Sequence, residues 1–218
     1  MFHPDTIHIG FAHDKRVEAR FCLSLAKTMR ANQRIIGITG SQNARQHVAR
    51  NDIVREFLRG EAEWLLEIDT DMEFDLHAAR RIMEAATEAD AKVVHGEAFG
   101  YNESERIVNF PVFLWDEAKS DYVEYPDPPW GTRFWVDACG AAFLLLHRSV
   151  LEAVGDPWHE NYMEHPATGK PMGHDIALHH RIRQTTGERT LYCSDIQIGH
   201  VKQFVVDRDT YLSYLEAQ

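Results

Sequence analysis

The first half of the sequence alternates short apolar runs with stretches whose apolar residues recur at helical spacing. The runs typical of strands are at 6–12, 34–39, 64–68 and 91–99. The stretches predicted as helices are 15–30, a segment from Ser41 or Asn43 to Gly60, and a segment that Asp75 caps. Alternation at this spacing predicts βαβ units, and therefore an α/β fold with a mostly parallel central sheet and helices on both faces.

The second half has a different pattern. It begins with two strand-like runs, FPVFLW and DYVEY, which predict a hairpin, and continues with a proline-rich surface loop at 125–134. Residues 135–146, WVDACGAAFLLL, are interpreted as one long strand. The remaining elements are a short helix that Ser149 caps and that ends near Gly155, a helix that follows Asp175 and stops at Gly187, and a last strand, LYCSDIQIGH, that ends in His200.

Length and composition indicate one domain, 1–218, since 218 residues with 44% hydrophobic content form one good core. The longest apolar run, AAFLLL at 141–146, is too short to span a membrane, and the first residues do not resemble a secretion signal. Three widely spaced cysteines argue against a disulfide framework, so a cytoplasmic setting is expected. The net charge of -11 makes a nucleic-acid surface improbable.

The segment EWLLEIDTDMEFD, residues 63–75, ends an apolar strand in three alternating acids, Asp69, Asp71 and Glu73. Side chains two residues apart on a strand point the same way, so Asp69 and Asp71 are able to converge on one cation. A second D-x-D at 207–209 does not follow an apolar strand, and acids solvated in a loop or capping a helix remain an alternative for the first. An acidic protein that binds phosphate needs such a cation.

Four segments, in order, resemble the GT-A glycosyltransferases, especially the family-2-like enzymes of bacteria and phages. They are WLLEIDTDMEF after a helix that contains AlaArgAsn at 49–51, then VDACGAAFLLLHRSVLEAVGDPW at 136–158, GHDIALHHRIRQTTG at 173–187, and IGHVKQF at 198–204. The resemblance covers residues 6 to about 212. It implies a GT-A fold and transfer of a sugar from a UDP- or GDP-sugar to an acceptor hydroxyl.

The resemblance also implies a metal site. A Mn²⁺ or Mg²⁺ ion held by Asp71, Asp69 and His200 would bridge the donor diphosphate to the protein, and the imidazole favours Mn²⁺. Asp69 is also expected at the donor ribose. Arg50 and Lys202 are the basic residues nearest these motifs, and one or both are expected at the phosphates. A salt-bridged surface role for Arg50 and a backbone-paired role for His200 stay open.

On the acceptor side, an inverting transfer needs a base, and Asp175 is the candidate, although it is also a good helix cap. His174 stands where the family has Glu, so it is a possible second titrating group. Trp130 and Trp158 are candidates to stack on acceptor sugars, or else to anchor their loops. The resemblance implies that Asp137 also lies near the acceptor.

Three other interpretations compete with this one. A histidine zinc site on 174–180 is disfavoured, because His174, His179 and His180 lack i, i+4 spacing. A sugar nucleotidyltransferase would be expected to have a glycine-rich basic loop after the first strand, and GFAHDKR has one glycine. A non-catalytic glycan-binding module would be expected to lack one of the acids, and all are present.

Overall fold

We describe the protein from a computed structural model that covers residues 3–102, 107–161, 163–165, 169 and 171–202. The second D-x-D, at 207–209, lies outside the described residues. The strands are β1 His3–His13, β2 Ile35–Gln42, β3 Ala62–Ile68, β4 Met72–Glu73, β5 Val93–Glu97, β6 Gly100–Asn102, β7 Ile107–Asn109, β8 Val112–Asp116, β9 Asp121–Glu124, β10 Arg133–Val136, β11 Ala138–Cys139, β12 Phe143–His147, β13 Thr190–Gln197 and β14 Gly199–His200. The helices are α1 Ala19–Ala31, α2 Gln46–Arg59, α3 Ala78–Ala89, α4 Arg148–Val154 and α5 His174–Thr186.

A seven-stranded sheet forms the centre of the fold, in the order β10-β13-β5-β12-β3-β1-β2. β1 pairs in parallel with β2 and β3, and β5 pairs in parallel with β13. β12 is antiparallel to both β3 and β5, and β10 is antiparallel to β13. The predicted mostly parallel sheet is therefore confirmed, with two strands reversed.

Helices cover both faces of this sheet. Neighbouring leucines of β3 belong to different apolar clusters: Leu66 packs with Phe21 of α1 and Ile82 of α3, whereas Leu65 packs with Ile53 of α2. The second cluster also contains buried residues of α4 and α5. Both faces of β3 are therefore buried, which explains why its sequence is almost continuously apolar.

The predicted strand over 135–146 is wrong, because the chain leaves the sheet in its middle. The Asp137 N–H donates to the Phe113 carbonyl at 3.0 Å, and the Gly140 N–H donates to the Pro111 carbonyl at 3.0 Å. β11 consequently pairs with β8 in a separate sheet, β11-β8-β9, which contains the predicted hairpin. An apolar run alone does not reveal that its residues are shared between two sheets.

The predicted helix over 15–30 begins too early. α1 begins at Ala19, and its buried residues are Phe21, Ser24 and Thr28. The predicted end of the last helix is confirmed, since Gly187 follows α5 with a φ of 75°, in the left-handed region.

Within the described residues, no helix has the length and apolar character needed to cross a membrane.

Candidate active site

The two aspartates lie in a turn that closes the carboxyl end of β3. The Asp69 N–H donates to the Ala142 carbonyl at 3.0 Å, and the Met72 N–H donates back to the Asp69 carbonyl at 3.2 Å. The side chains of Asp69 and Asp71 are 26% and 32% exposed, so ligands reach both of them. The third acid of the motif, Glu73, points elsewhere and forms an exposed ion pair with Arg20 at 2.8 Å.

A two-stranded ribbon brings His200 to the aspartates. β14 pairs antiparallel with β4, which follows Asp71 directly, and the Val201 N–H donates to the Asp71 carbonyl at 2.7 Å. As a result His200 Nε2 lies 2.8 Å and Lys202 Nζ 2.9 Å from Oδ2 of Asp71. The structure thus brings together Asp71, His200 and Lys202, three of the predicted site residues.

The charges of this group stabilise one another. Burial alone would raise the pKa of Asp71, but the hydrogen bonds from His200 and Lys202 outweigh it and hold that pKa below its usual value. Burial likewise opposes protonation of His200, yet its contact with Asp71 raises the His200 pKa. The other ring nitrogen, Nδ1, lies 2.7 Å from the Phe99 carbonyl and donates to it, which orients Nε2 toward Asp71.

These residues fit a divalent cation. Asp71 supplies a carboxylate oxygen and His200 a ring nitrogen whose partner nitrogen is fixed by a backbone carbonyl, the usual arrangement for a histidine ligand. Among the described residues, Asp69, Asp71 and His200 do not form a compact group with all ligand atoms within 4.8 Å of one another. Asp71 and His200 are therefore the pair suited to direct contact with the ion, and Asp69 stands beside them.

Arg50 is not positioned as expected at the phosphates, nor is it a surface residue. It is 2% exposed, and its guanidinium donates to Glu67 Oε2 at 2.8 Å, to Asp69 Oδ1 at 2.7 Å and to the Ala141 carbonyl at 3.1 Å. Burial would lower the pKa of Arg50, but Asp69 and Glu67 outweigh it and raise that pKa. Arg50 therefore orients the Asp69 carboxylate from inside the core.

Glu67 and His159 complete this buried network, and sequence reasoning missed both. Glu67 is 1% exposed and lies between Arg50 and the fully buried His159, whose Nε2 is 3.1 Å from Glu67 Oε2. Burial would raise the Glu67 pKa, but His159 and Arg50 hold it below its usual value. The sequence did contain one signal for this network. Glu67 is an acid inside the apolar run of β3, and a buried carboxylate requires a buried partner.

Asp175 occupies the first turn of α5, next to His174. Their closest atoms, His174 Nδ1 and Asp175 Oδ1, are 2.6 Å apart. Burial alone would raise the Asp175 pKa, but His174 and Arg50 reverse this and hold it well below its usual range. Asp175 is therefore ionised at neutral pH, the state in which a carboxylate accepts a proton.

Two clefts meet at the aspartates. The first, of about 420 Å³, lies beyond the carboxyl ends of β1, β2 and β3, and its walls include His13, Asn43, Asp71 and Lys202. The second, of about 350 Å³, contains Asp175. Asp69 and His200 line both clefts, so this pair forms the boundary between them. A ligand in one cleft would lie next to a ligand in the other.

The two tryptophans have different environments. Trp130 is 53% exposed and stacks on Phe99, with centroids 6.1 Å apart and planes at 25°; Phe99 lines the second cleft. Trp158 is 4% exposed and its indole N–H donates to the Leu151 carbonyl at 2.7 Å. Trp158 therefore anchors its loop to the core and is not placed to stack on an acceptor.

Asp137 does not line the second cleft, and its contacts are structural. Its carboxylate accepts the backbone N–H of Trp115 at 2.9 Å and the Arg189 Nε at 2.8 Å. Asp137 is 9% exposed and ties β8 to the residues before β13. The expected acceptor role of Asp137 is not supported by these contacts.

Comparison with known proteins identifies the fold. No protein-family model matches the sequence, and no curated protein matches it. The structure is similar to that of A197 from STIV, with a TM-score of 0.63 and 18% identity over 91% of this chain and 86% of that one. It is also similar to GalNAc-T7 crystallised with UDP, GalNAc and Mn²⁺, with a TM-score of 0.60 and 11% identity over 91% of this chain and 43% of that one.

The fold is GT-A. The expected fold class is therefore confirmed, and the chain spans less than half the length of GalNAc-T7. Within this GT-A fold the first cleft lies outside the carboxyl ends of parallel strands, the position where α/β sheets bind their ligands.

Proposed function

We propose that the protein is a metal-dependent glycosyltransferase that moves a sugar from a nucleotide-diphosphate sugar to an acceptor hydroxyl with inversion. The observation that carries this proposal is the contact of Asp71 with His200 and Lys202 in the first of two clefts that meet at His200. One cleft is available for the donor and the other for the acceptor, with His200 on the wall of both. The GT-A fold supports the same assignment.

The first cleft is assigned to the donor. Asp71 and His200 would hold Mn²⁺ in preference to Mg²⁺, because an imidazole is among the ligands. When bound, the cation neutralises the diphosphate and stabilises it as a leaving group. Lys202 lines the same cleft and supplies a positive charge to the phosphates. Asp69, held by Arg50 and by the Gln46 amide at 3.0 Å, is oriented to accept hydrogen bonds from the ribose.

The second cleft is assigned to the acceptor. Its wall contains the ionised Asp175, which takes the proton of the attacking hydroxyl. The neighbouring His174 lies within 2.6 Å and stabilises the ionised form. Phe99, with Trp130 stacked on it, offers an apolar face at the same cleft, suited to the C–H face of a sugar.

Thermal unfolding with nucleoside diphosphates tests this function. UDP, GDP, ADP and CDP are each added with and without Mn²⁺, and UDP comes first because GalNAc-T7 was crystallised with it. A ligand at 100 times its dissociation constant stabilises the native state by about 2.7 kcal/mol, which raises the melting temperature by about 5–10 °C in a domain of this size.

Asp71→Asn is the test variant and Asp127→Asn the matched control, since Asp127 is exposed and lines neither cleft. A Mn²⁺-dependent shift with one nucleotide, lost only in Asp71→Asn, is expected. The proposal is wrong if no nucleotide stabilises the protein with Mn²⁺, or if Asp71→Asn retains the full shift.

The first loop argues against a sugar nucleotidyltransferase. The Asp14 carboxylate accepts the backbone N–H groups of Lys15 and Arg16, so amides that a phosphate-binding loop would use are already occupied by a carboxylate. Stabilisation by nucleoside triphosphates together with a sugar phosphate, and not by diphosphates, would favour that alternative. A non-catalytic glycan-binding module would respond to neither.

A further inference from the structure

A second group of potential metal ligands, one buried and two partly exposed, lies apart from Asp71 and His200. One ring nitrogen of His159, one of His174 and one carboxylate oxygen of Asp175 all lie within 4.8 Å of one another. Among the described residues, these three side chains lie close enough together to hold an ion. The hydrogen bonds of the Arg50–Glu67–His159 network do not explain why they are so close.

His159 is prepared as a ligand by Glu67. Its Nε2 is 3.1 Å from Glu67 Oε2, so Nε2 carries the N–H and, in a neutral imidazole, Nδ1 carries the lone pair. His159 is completely buried, and its Nδ1 has no hydrogen-bond partner among the described residues. A carboxylate that fixes the far nitrogen of a histidine is the usual support for a metal-binding imidazole. An unsatisfied nitrogen at full burial otherwise has an energetic cost.

His174 and Asp175 also each have a buried polar atom without a hydrogen-bond partner among the described residues. His174 Nδ1 and Asp175 Oδ1 are 2.6 Å apart, yet neither is in hydrogen-bond geometry with a partner among the described residues. Ligands around a tetrahedral zinc ion are about 3.4 Å apart, given metal–ligand bonds of about 2.0–2.1 Å. Binding of an ion therefore requires the His174 and Asp175 atoms to move apart. The His174 side chain is partly exposed, and Asp175 opens to the second cleft, which gives an ion a route of entry.

We propose that His159, His174 and Asp175 bind a transition-metal ion of the zinc type, at a site that shares no ligand with the Asp71–His200 pair. Two imidazoles and one carboxylate form a three-ligand set that suits Zn²⁺ and leaves a fourth position open. The site stands on this geometry and does not depend on the proposed function. If Asp175 is the acceptor base, an occupied site removes that base and the ion is an inhibitor.

Zinc binding by the purified protein tests the proposal without any activity assay. The Asp71→Asn/His200→Gln double variant serves as the parent, because it removes the other pair of ligands. Metal-free protein is dialysed against Zn²⁺ and bound zinc is measured per chain; His174→Gln is then added to the parent, and His77→Gln is the control at an exposed histidine. Co²⁺ replaces Zn²⁺ in a second series, since its visible absorption reports nitrogen ligation.

We expect the parent to bind one more zinc ion per chain than the His174→Gln variant, and His77→Gln to bind as much as the parent. His159→Asn, checked for native circular dichroism, should lose the same equivalent. Equal zinc content in the parent and in His174→Gln would overturn the proposal, as would the absence of any bound zinc. Neither result bears on the Mn²⁺-dependent nucleotide shift, so the two proposals fail separately.

Discussion

His200 Nε2 lies 2.8 Å from Asp71 Oδ2, although 129 positions separate the two residues in the sequence. The contact exists because β14 pairs with β4, directly after the turn that holds Asp71. Lys202 reaches the same oxygen at 2.9 Å, so one carboxylate contacts two basic groups. Substitution of single residues in this group and around it should separate their roles.

Lys202→Met should weaken binding of a nucleoside diphosphate and leave binding of Mn²⁺ alone intact. The ammonium is expected at the phosphates, and loss of one charge-assisted contact costs about 1.5–3 kcal/mol, or about 10- to 100-fold in affinity. Mn²⁺ should bind at least as well, because a competing positive charge near Asp71 is gone. Calorimetry with each ligand measures the two effects. Lys119→Met, at an exposed lysine, is the control, and equal loss of both affinities would contradict the assignment.

Asp175→Asn should reduce sugar transfer by about 10²–10⁴-fold while nucleotide binding is unchanged. The amide keeps the size of the side chain but does not accept a proton. Transfer is measured as product formed from the nucleotide sugar that the binding experiments identify, with an acceptor found by screening sugars. The anomeric configuration of the product, determined by NMR, tests inversion. Transfer at the wild-type rate in Asp175→Asn would show that the base lies elsewhere.

Glu67→Gln should destabilise the protein by about 3–5 kcal/mol, because it leaves the buried Arg50 guanidinium without one of its two carboxylates. Glu63→Gln, on the same strand, is the matched control. Its carboxylate is 29% exposed and pairs with His147 at 3.2 Å, so the expected loss is below about 1 kcal/mol. Urea unfolding measures both free energies. Similar losses in the two variants would mean that the Arg50–Glu67 pair contributes little.

His95→Leu should make the protein less sensitive to acid. His95 is stacked on Tyr192 with centroids 5.3 Å apart, and burial, reinforced by His179, lowers its pKa to about 3. Between about pH 6.5 and pH 3 the unfolded chain therefore binds a proton at His95 that the folded chain does not, and stability falls as the pH falls.

Between pH 7 and pH 4 that one group accounts for a loss on the order of 3 kcal/mol, which His95→Leu should remove. Urea unfolding at both pH values measures the difference. The exposed His77→Leu should leave the acid loss unchanged. An identical acid loss in wild type and His95→Leu would show that His95 is protonated in the folded state.

Local patterns predicted the sheet because β1, β2, β3 and β5 are separate apolar runs with one helix between each and the next. The residues Asp71, His200 and Lys202 were predicted at the site only through the family resemblance, since no local pattern indicates that β14 pairs with β4. The break within 135–146 was missed because two of its backbone N–H groups bond to a distant strand region, at Phe113 and Pro111. Such bonds depend on tertiary neighbours that the sequence does not display.

The burial of Arg50 was missed, and the choice between stacking and anchoring for Trp158 stayed open, for a related reason. A lone arginine on a helix is usually solvated, and here a glutamate within β3 reverses that preference. Trp158 is held by Leu151 and by the Asn51 side chain, which accepts its backbone N–H at 2.9 Å. Both residues depend on pairings that join α2 to distant parts of the chain, and helical periodicity carries no information about them.

The pairing of β14 with β4 has a consequence for synthesis of the protein. The turn with Asp71 leaves the ribosome long before His200 and Lys202, so a nascent chain first presents Asp71 without its basic partners. The strands β1, β2 and β3 are able to pair by then, but translation must pass residue 202 before the charge around Asp71 is balanced. The native binding group is therefore one of the last parts of the described chain to be assembled.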